Sequence, residues 1–219
     1  MNSLRPRVVV RIAAFAGSAA LLAACGSVHP GSAAVVDDEV ISMKTADKAS
    51  TAYCKLGLAS AASQGVKDVS AADARRQAIT DLITFKVAKK VAKKRGLKID
   101  PATYVLTQQQ LAQVTKAFPG SGLPEIRSAI ERSQETYAIA LALGESTTGL
   151  TADADNQAGI EKAGTALITK AYKSSDISID PRFGLDDAIK PVALTGSLSV
   201  PQIAEKSDAA SLPVSQRCS

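Results

Sequence analysis

Hydrophobic positions change period several times along the chain, and each change marks an element. Residues 12–24 form an unbroken run of small and apolar side chains, and a polar, turn-rich stretch follows at 26–32. Ala34, Val35 and Val36, then Val40 and Ile41, flank Asp37, Asp38 and Glu39, which predicts two short strands around a tight turn. From Ser42 the period becomes helical. Met43, Ala46, Tyr53 and Leu56 share one stripe over residues 42–62, and Gly65 follows the end. Ser70 with Asp73 resembles a capping box with Asp in place of Glu, opening a second helix that turns Ile79, Leu82, Ile83, Val87 and Val91 inward and ends at Gly96.

Asp100 as N-cap and Pro101 at the first helical position predict a third helix toward Phe118, broken by residues 118–122. A fourth runs from Pro124 with Ile126, Ile130, Tyr137 and Leu141 on its inner stripe. Residues 138–143 are apolar all round, which predicts the most buried helical segment. A fifth covers 151–173, with Ile160, Ala163, Leu167 and Ala171 inward. Residues 177–180 alternate like a short strand closed by Pro181, and 185–219 keep no period, reading as an irregular tail. The pattern predicts a mainly α fold of about five helices, with a small β element made by the N-terminal hairpin and a late strand.

Composition adds a packing constraint. The chain is 46% hydrophobic but only 4% aromatic, with no Trp, so its interior must be built from Ala, Leu, Ile and Val. Ala has the best helix propensity, which agrees with the helical reading.

The formal charge of +5 suggests nucleic acid, but Arg5, Arg7 and Arg11 precede the apolar run and no acid does. Without that leader 23 basic residues face 21 acidic ones, a net of only +2, and the nucleic-acid reading loses most of its bulk support. A basic leader followed by an apolar run over 12–24 has the layout of a secretory signal, and the run is short of the ~20 residues needed to cross a bilayer core. Leu22, Ala23, Ala24 and Cys25 match the lipobox of bacterial lipoproteins, so residues 1–24 are expected to be removed and Cys25 lipidated. The alternative is an ordinary signal peptide that happens to precede a cysteine. Two acyl chains suffice for stable anchoring, which places the protein at the extracytoplasmic face of the cell membrane. Residues 25–32 form the lipidated cysteine and tether. The seven residues 26–32 span at most about 25 Å when extended, so the domain expected at 33–184 hangs close to the bilayer.

Chemistry-bearing residues are few. The single histidine, His29, lies in the tether, which leaves no His-based triad and no paired-His metal site in the domain. Asp153, Asp155 and Asn156 resemble the start of a calcium loop, but Ala158 stands where that loop needs Gly, and Gly164 where it needs Glu. Acids near a helix N-terminus explain the run better. No phosphate-cradling glycine motif is present. We expect no catalytic residues, no metal, no cofactor and no enzyme activity. Lys86, Lys89, Lys90, Lys93, Lys94 and Arg95 crowd the end of the second helix, either as a solvated face suited to the negative helix end or as an attraction to anionic lipid headgroups. Gln108, Gln109 and Gln110 read as helix surface. With Cys25 lipidated, Cys54 and Cys218 remain as a candidate disulfide in an oxidising exterior.

The order strand, turn, strand, helix, and then "RRQAITDLITFKVAKKVAKKRGLKID" (75–100), resembles the N-terminal domain of SurA and the related PrsA and trigger-factor chaperone regions. "SAAVVDDEVIS" (32–42) takes the place of that family's opening hairpin, with Asp37-Asp38 where Asn-Gly is usual. "ISIDPRFG" (177–184) is similar to its returning strand. The resemblance covers roughly residues 32–184. It implies binding of unfolded or newly secreted polypeptides through an apolar groove between helices, without nucleotide; it does not say which residues bind clients. Many relatives insert a parvulin-type prolyl isomerase domain before the final segment. The connection from 150 to 177 has room for one helix and holds no histidine, so isomerase activity is not carried over. The alternative is an envelope lipoprotein whose helices dock one dedicated partner.

Overall fold

The structure is a computed structural model in which residues 31–120, 122–192 and 209–218 are described. It is mainly helical, with a small three-stranded antiparallel sheet. Strand β1 (Ser32–Val36) turns through Asp37 and Asp38 into β2 (Glu39–Ser42). Of these two turn residues only Asp37 has a positive φ, 53°, so the turn is not type I′, which needs both. Strand β3 (Ile177–Ile179) pairs with the other edge of β1, giving the order β2-β1-β3. The β1–β2 register slips between Ser32 and Ala34. A regular strand sends alternate residues to opposite faces, yet Ala33 and Ala34 are both buried. The bulged extra residue turns both inward, toward the helices.

Five α-helices follow the hairpin: α1 (Met43–Ser63), α2 (Ala71–Lys94), α3 (Gln108–Ala117), α4 (Leu123–Thr148) and α5 (Gln157–Ser174). Ser42 caps α1 by accepting the Thr45 N–H at 3.1 Å, so the last strand residue is also the helix start. Ser70 caps α2 through the Asp73 N–H, while the Asp73 carboxylate pairs forward with Arg76 rather than completing a box.

Two predicted helix starts are corrected. Asp100 and Pro101 do cap and open a helical segment, but it is a single 3-10 turn, Pro101–Thr103. The chain then leaves the helical path so that Leu106 is buried and its N–H reaches the Glu131 carboxylate at 3.1 Å. Helix α3 begins only at Gln108, behind a reciprocal capping box of Thr107 and Gln110. Gln110 is therefore part of a cap as well as surface. Helix α5 starts at Gln157 rather than 151. The Asp153 carboxylate accepts the N–H groups of Asp155 and Asn156, and Asn156 accepts the Asp153 N–H, a turn that competes with the helix for the same donors.

The main core gathers Ile79, Ile83 and Val87 of α2, Ile139 and Leu143 of α4, Ile168 of α5, and Ile177, Ile179 and Phe183 beyond it. A smaller cluster of Ala52, Ile126 and Ala129 lies with Phe118 and Val114 at the α3 end. The predicted inward stripes hold for α2 apart from half-buried Val91, and shift elsewhere. In α1 the buried positions are Ala46, Ala49, Ser50 and Ala52, with Tyr53 and Leu56 at the margin. In α4 the expected Ile126 is buried, Ile130 and Leu141 are half-buried and Tyr137 is 38% exposed, while Ala129, Ile139, Ala140 and Leu143 complete the buried line. In α5 the buried line is Ile160, Gly164 and Ile168, while Ala163, Leu167 and Ala171 flank it. The cause is backbone contact. A Cβ on Gly144 would lie 2.0 Å from the Ile160 carbonyl oxygen, and one on Gly164 would lie 1.7 Å from that of Ala140. The helices meet where there are no side chains, and the stripe centres there.

The tail is irregular in secondary structure but fixed where it is described. Leu185 is buried and bridges to Pro191. At the C-terminus Arg217 pairs with Asp68 at 3.1 Å, donates to the carbonyls of Leu212 and Ala210, and forms a β-bridge with Ser70. The Cys54 and Cys218 sulfurs are at bonding distance, 2.10 Å. This segment therefore closes over the α1–α2 connection. Residues 1–24, Cys25 and His29 lie outside the described residues, as do 193–208 of the tail. Among the described residues no helix is long and apolar enough to cross a membrane.

Candidate functional site

An open groove of about 450 Å³ runs between α2, α4 and α5, closed at one end by the loop through Ile189. Its lining follows helical spacing on each element. Thr80, Asp81 and Thr84 come from α2; Ser133, Thr136, Tyr137 and Ala140 from α4; Glu161, Thr165, Ile168, Thr169 and Tyr172 from α5. Residues three or four apart share a helix face, so these sets stand as ladders of hydroxyl groups along the walls. Ala140, Ile168 and Ile189 supply apolar surface between them.

The walls are held by specific contacts. The Gly144 and Gly164 approaches bring α4 and α5 together beneath the groove. On the α2–α4 side, Arg132 Nε donates to Asp81 Oδ2 at 2.5 Å, with both side chains only 13% exposed. Burial, then the Asp81 charge, pushes the pKa of Tyr53 upward, so its hydroxyl stays protonated against the Asp81 carboxylate. Arg132 Nη2 is buried without an acceptor among the described residues.

The far end is built from a short loop. Asp186 accepts the N–H groups of Ala188 and Lys190 at 2.9 and 2.7 Å, and this forces Ile189 to a φ of 56°. A β-branched residue at positive φ is a strained conformation that costs of order 1–3 kcal/mol. It places a partly buried Ile against the core and into the groove lining. Tyr172 Oη donates to the Asp187 carbonyl at 3.2 Å, and burial, with Asp186 and Asp187 nearby, pushes its pKa up to about 12. At the other end Gln157 Nε2 donates to the Tyr137 hydroxyl. Both tyrosine hydroxyls are thus engaged, while their rings line the groove. By contrast, the side chains of Thr80, Thr84, Ser133, Thr165 and Thr169 make no hydrogen bond among the described residues.

Sequence reasoning did not pick out this groove. The signal was present as Thr80/Thr84 and Thr165/Thr169, pairs of hydroxyls at i and i+4 on two different helices, but each pair alone looks like ordinary helix surface.

The lysine cluster is spread over several partners. Lys86 pairs with Glu39 and Lys90 with Asp37, each at 2.5 Å, while Lys89 reaches Glu135 at 3.1 Å and lies over the Phe85 ring. Arg95 donates to Thr147 at 3.4 Å. Lys86 and Lys90 fasten the hairpin turn to α2, and with Lys89 on Glu135 half of the six cations counted as a face are matched within the fold. Asp37 also exchanges backbone and side-chain hydrogen bonds with Asp176, tying the turn to the start of β3.

The run at Asp153 is folded into its own turn, and among the described residues no three His, Cys, Asp or Glu side chains are grouped to hold a metal ion. No protein-family model, curated protein or solved structure matches the chain.

Proposed function

We propose that this is a lipid-anchored, extracytoplasmic, chaperone-like protein that binds unfolded or newly secreted polypeptide segments without catalysis, and that the groove between α2, α4 and α5 is the binding surface. The observation that carries the reading is the groove's lining: hydroxyl ladders on three helices, most without internal partners, around an apolar strip. A hydroxyl both donates and accepts, so it can meet either the N–H or the C=O of an extended backbone whatever the side chains are. Ala140, Ile168 and Ile189 then offer apolar contact. Anchoring at Cys25 through a short tether would hold this surface where exported chains emerge.

The test is suppression of client aggregation by residues 26–219, compared with a Thr165→Arg variant that obstructs the groove. Wild type suppresses, and the variant loses suppression at unchanged melting temperature. No suppression by wild type at molar excess contradicts the proposal.

The alternative, docking of one dedicated partner, is favoured by a separate observation. Among the described residues the exposed hydrophobics Val40, Val66, Val105, Leu150, Val192 and Val214 all lie outside the groove lining, where a partner that docks elsewhere on the surface can reach them. A pull-down distinguishes the readings: one stoichiometric partner supports docking, and many substoichiometric clients support the chaperone.

A further inference from the structure

We infer that α3 is a displaceable cover over an apolar site between α1 and α4, and that this site receives an amphipathic helix of a partner protein. The site is separate from the groove between α2, α4 and α5. Its floor is Ala52 of α1 with Ile126 and Ala129 of α4, none of which lines that groove. All three are buried, and Val114 of α3 and Phe118 at its C-cap pack over them beside Leu56 and Ile130.

The cover is held by little. No residue of α3 is buried, and only Leu111, Val114 and the C-cap Phe118 are half-buried. Its capping box and the Thr115 hydroxyl bond are internal, and among the described residues no hydrogen bond or ion pair joins α3 to another element. Ten residues are too few for a stable helix in isolation, so α3 persists only while its apolar stripe is docked. A segment with so few buried contacts opens at the low end of the range of local stabilities. Its two ends suit that motion. Leu106 is buried and bonded to Glu131, which pins the chain just before the cap. On the other side Gly120 and Gly122 have φ of 102° and 91°, where glycine bends without side-chain strain.

The resident helix shows what the site accepts. Leu111, Val114 and Phe118 stand at i, i+3 and i+7, one face of a segment whose other positions are Gln, Thr, Lys and Ala. A partner helix with larger apolar residues at that spacing buries more surface on Ile126 and Ala129 than α3 does, the helix-in-groove mode of recognition. An extended chain does not match the spacing.

The experiment titrates a labelled peptide of residues 106–119, by fluorescence anisotropy, into residues 26–219 and into a Val114→Asp, Phe118→Asp variant whose cover no longer docks. The variant binds the peptide tighter than wild type by about tenfold or more, because the open fraction sets the apparent affinity. Adding Ile130→Asp to the variant abolishes binding while the melting temperature stays that of the double variant. Hydrogen exchange on wild type checks the same displacement without substitutions: saturating peptide speeds exchange of the α3 amides. Equal affinity in wild type and variant, equal binding of a scrambled peptide, or α3 exchange that does not rise with peptide overturns the proposal. Concentration-dependent dimers of wild type that the peptide dissolves would make the occupant α3 of a second copy and overturn the partner assignment.

Discussion

The α-carbon of Gly164 rests against the carbonyl oxygen of Ala140 so closely that a Cβ there would stand 1.7 Å from it. Backbone oxygen cannot rotate away as a flexible side chain can, so any residue larger than glycine must push α5 off α4. Gly164→Ala is expected to destabilise the fold by about 1–3 kcal/mol or more, the usual cost of overpacking. Because the same approach holds together α4 and α5, two walls of the groove, the variant should also bind peptide more weakly at temperatures where it remains folded. Urea unfolding together with peptide anisotropy reads both effects.

The buried pair of Asp81 and Arg132 behaves differently when halved than when removed. Asp81→Asn leaves the Arg132 guanidinium buried without its counter-charge and should cost about 3–5 kcal/mol. Replacing both, as Asp81→Leu with Arg132→Met, restores apolar contact and should recover most of that loss. A double-mutant cycle by chemical denaturation measures it, and additive losses would show that the pair does not act as a unit.

Acid should loosen the hairpin turn first. The Lys90 ammonium, and then the Asp176 N–H, hold Asp37 below its ordinary value of 3.8; Arg182 does the same for Asp180 just after β3. A depressed carboxylate binds its proton more weakly in the folded chain than in the unfolded one. Its contribution is therefore complete above pH 3.8 and lost as pH falls from there through the lower native value. Both pairs are largely solvated, so each contributes little. Asp37→Asn keeps a side chain that tolerates the left-handed backbone and removes the charge. It should flatten stability against pH below 4, lose the pair's small contribution at pH 7, and match wild type once the carboxylate is protonated.

Breaking the link between Cys54 and Cys218 should affect the unfolded chain more than the folded one. The two are 164 positions apart, and closing so long a loop stabilises by about 5 kcal/mol on the chain-entropy model. Cys218→Ser is expected to lose stability toward that figure and to release residues 209–218 from the α1–α2 connection. Wild type in reductant should match the variant; if both unfold with the oxidised wild type, the bond contributes nothing.

Much of the architecture was legible because it rests on local patterns. The apolar run at Ala34–Val36, the alternation at Ile177–Ile179, the cap at Ser70 and the apolar period of α2 each announce an element by themselves. What was misread depends on contacts distant in sequence. Asp100 and Pro101 carry a valid start signal, but the attraction of Leu106 to its buried site and to Glu131 unwinds the helix they begin. The inner line of α5 was drawn from Ile160, which is buried, through Ala163, Leu167 and Ala171, passing Gly164 by. Only the facing carbonyl of Ala140 makes it the centre of the contact. The groove was hidden for a similar reason: its hydroxyls are polar residues on three separate helices, and nothing in the order of the chain says that these faces meet.

The central claim is that polypeptide segments lie between α2, α4 and α5. A photo-crosslinking amino acid at Thr165, with the same substitution at exposed Gln109 of α3 as control, tests it on residues 26–219 mixed with a denatured exported protein. Crosslinks at position 165 that exceed those at 109 and fall when an unlabelled unfolded competitor is added are the result this account predicts. Equal labelling at the two positions, or none at 165, would contradict it.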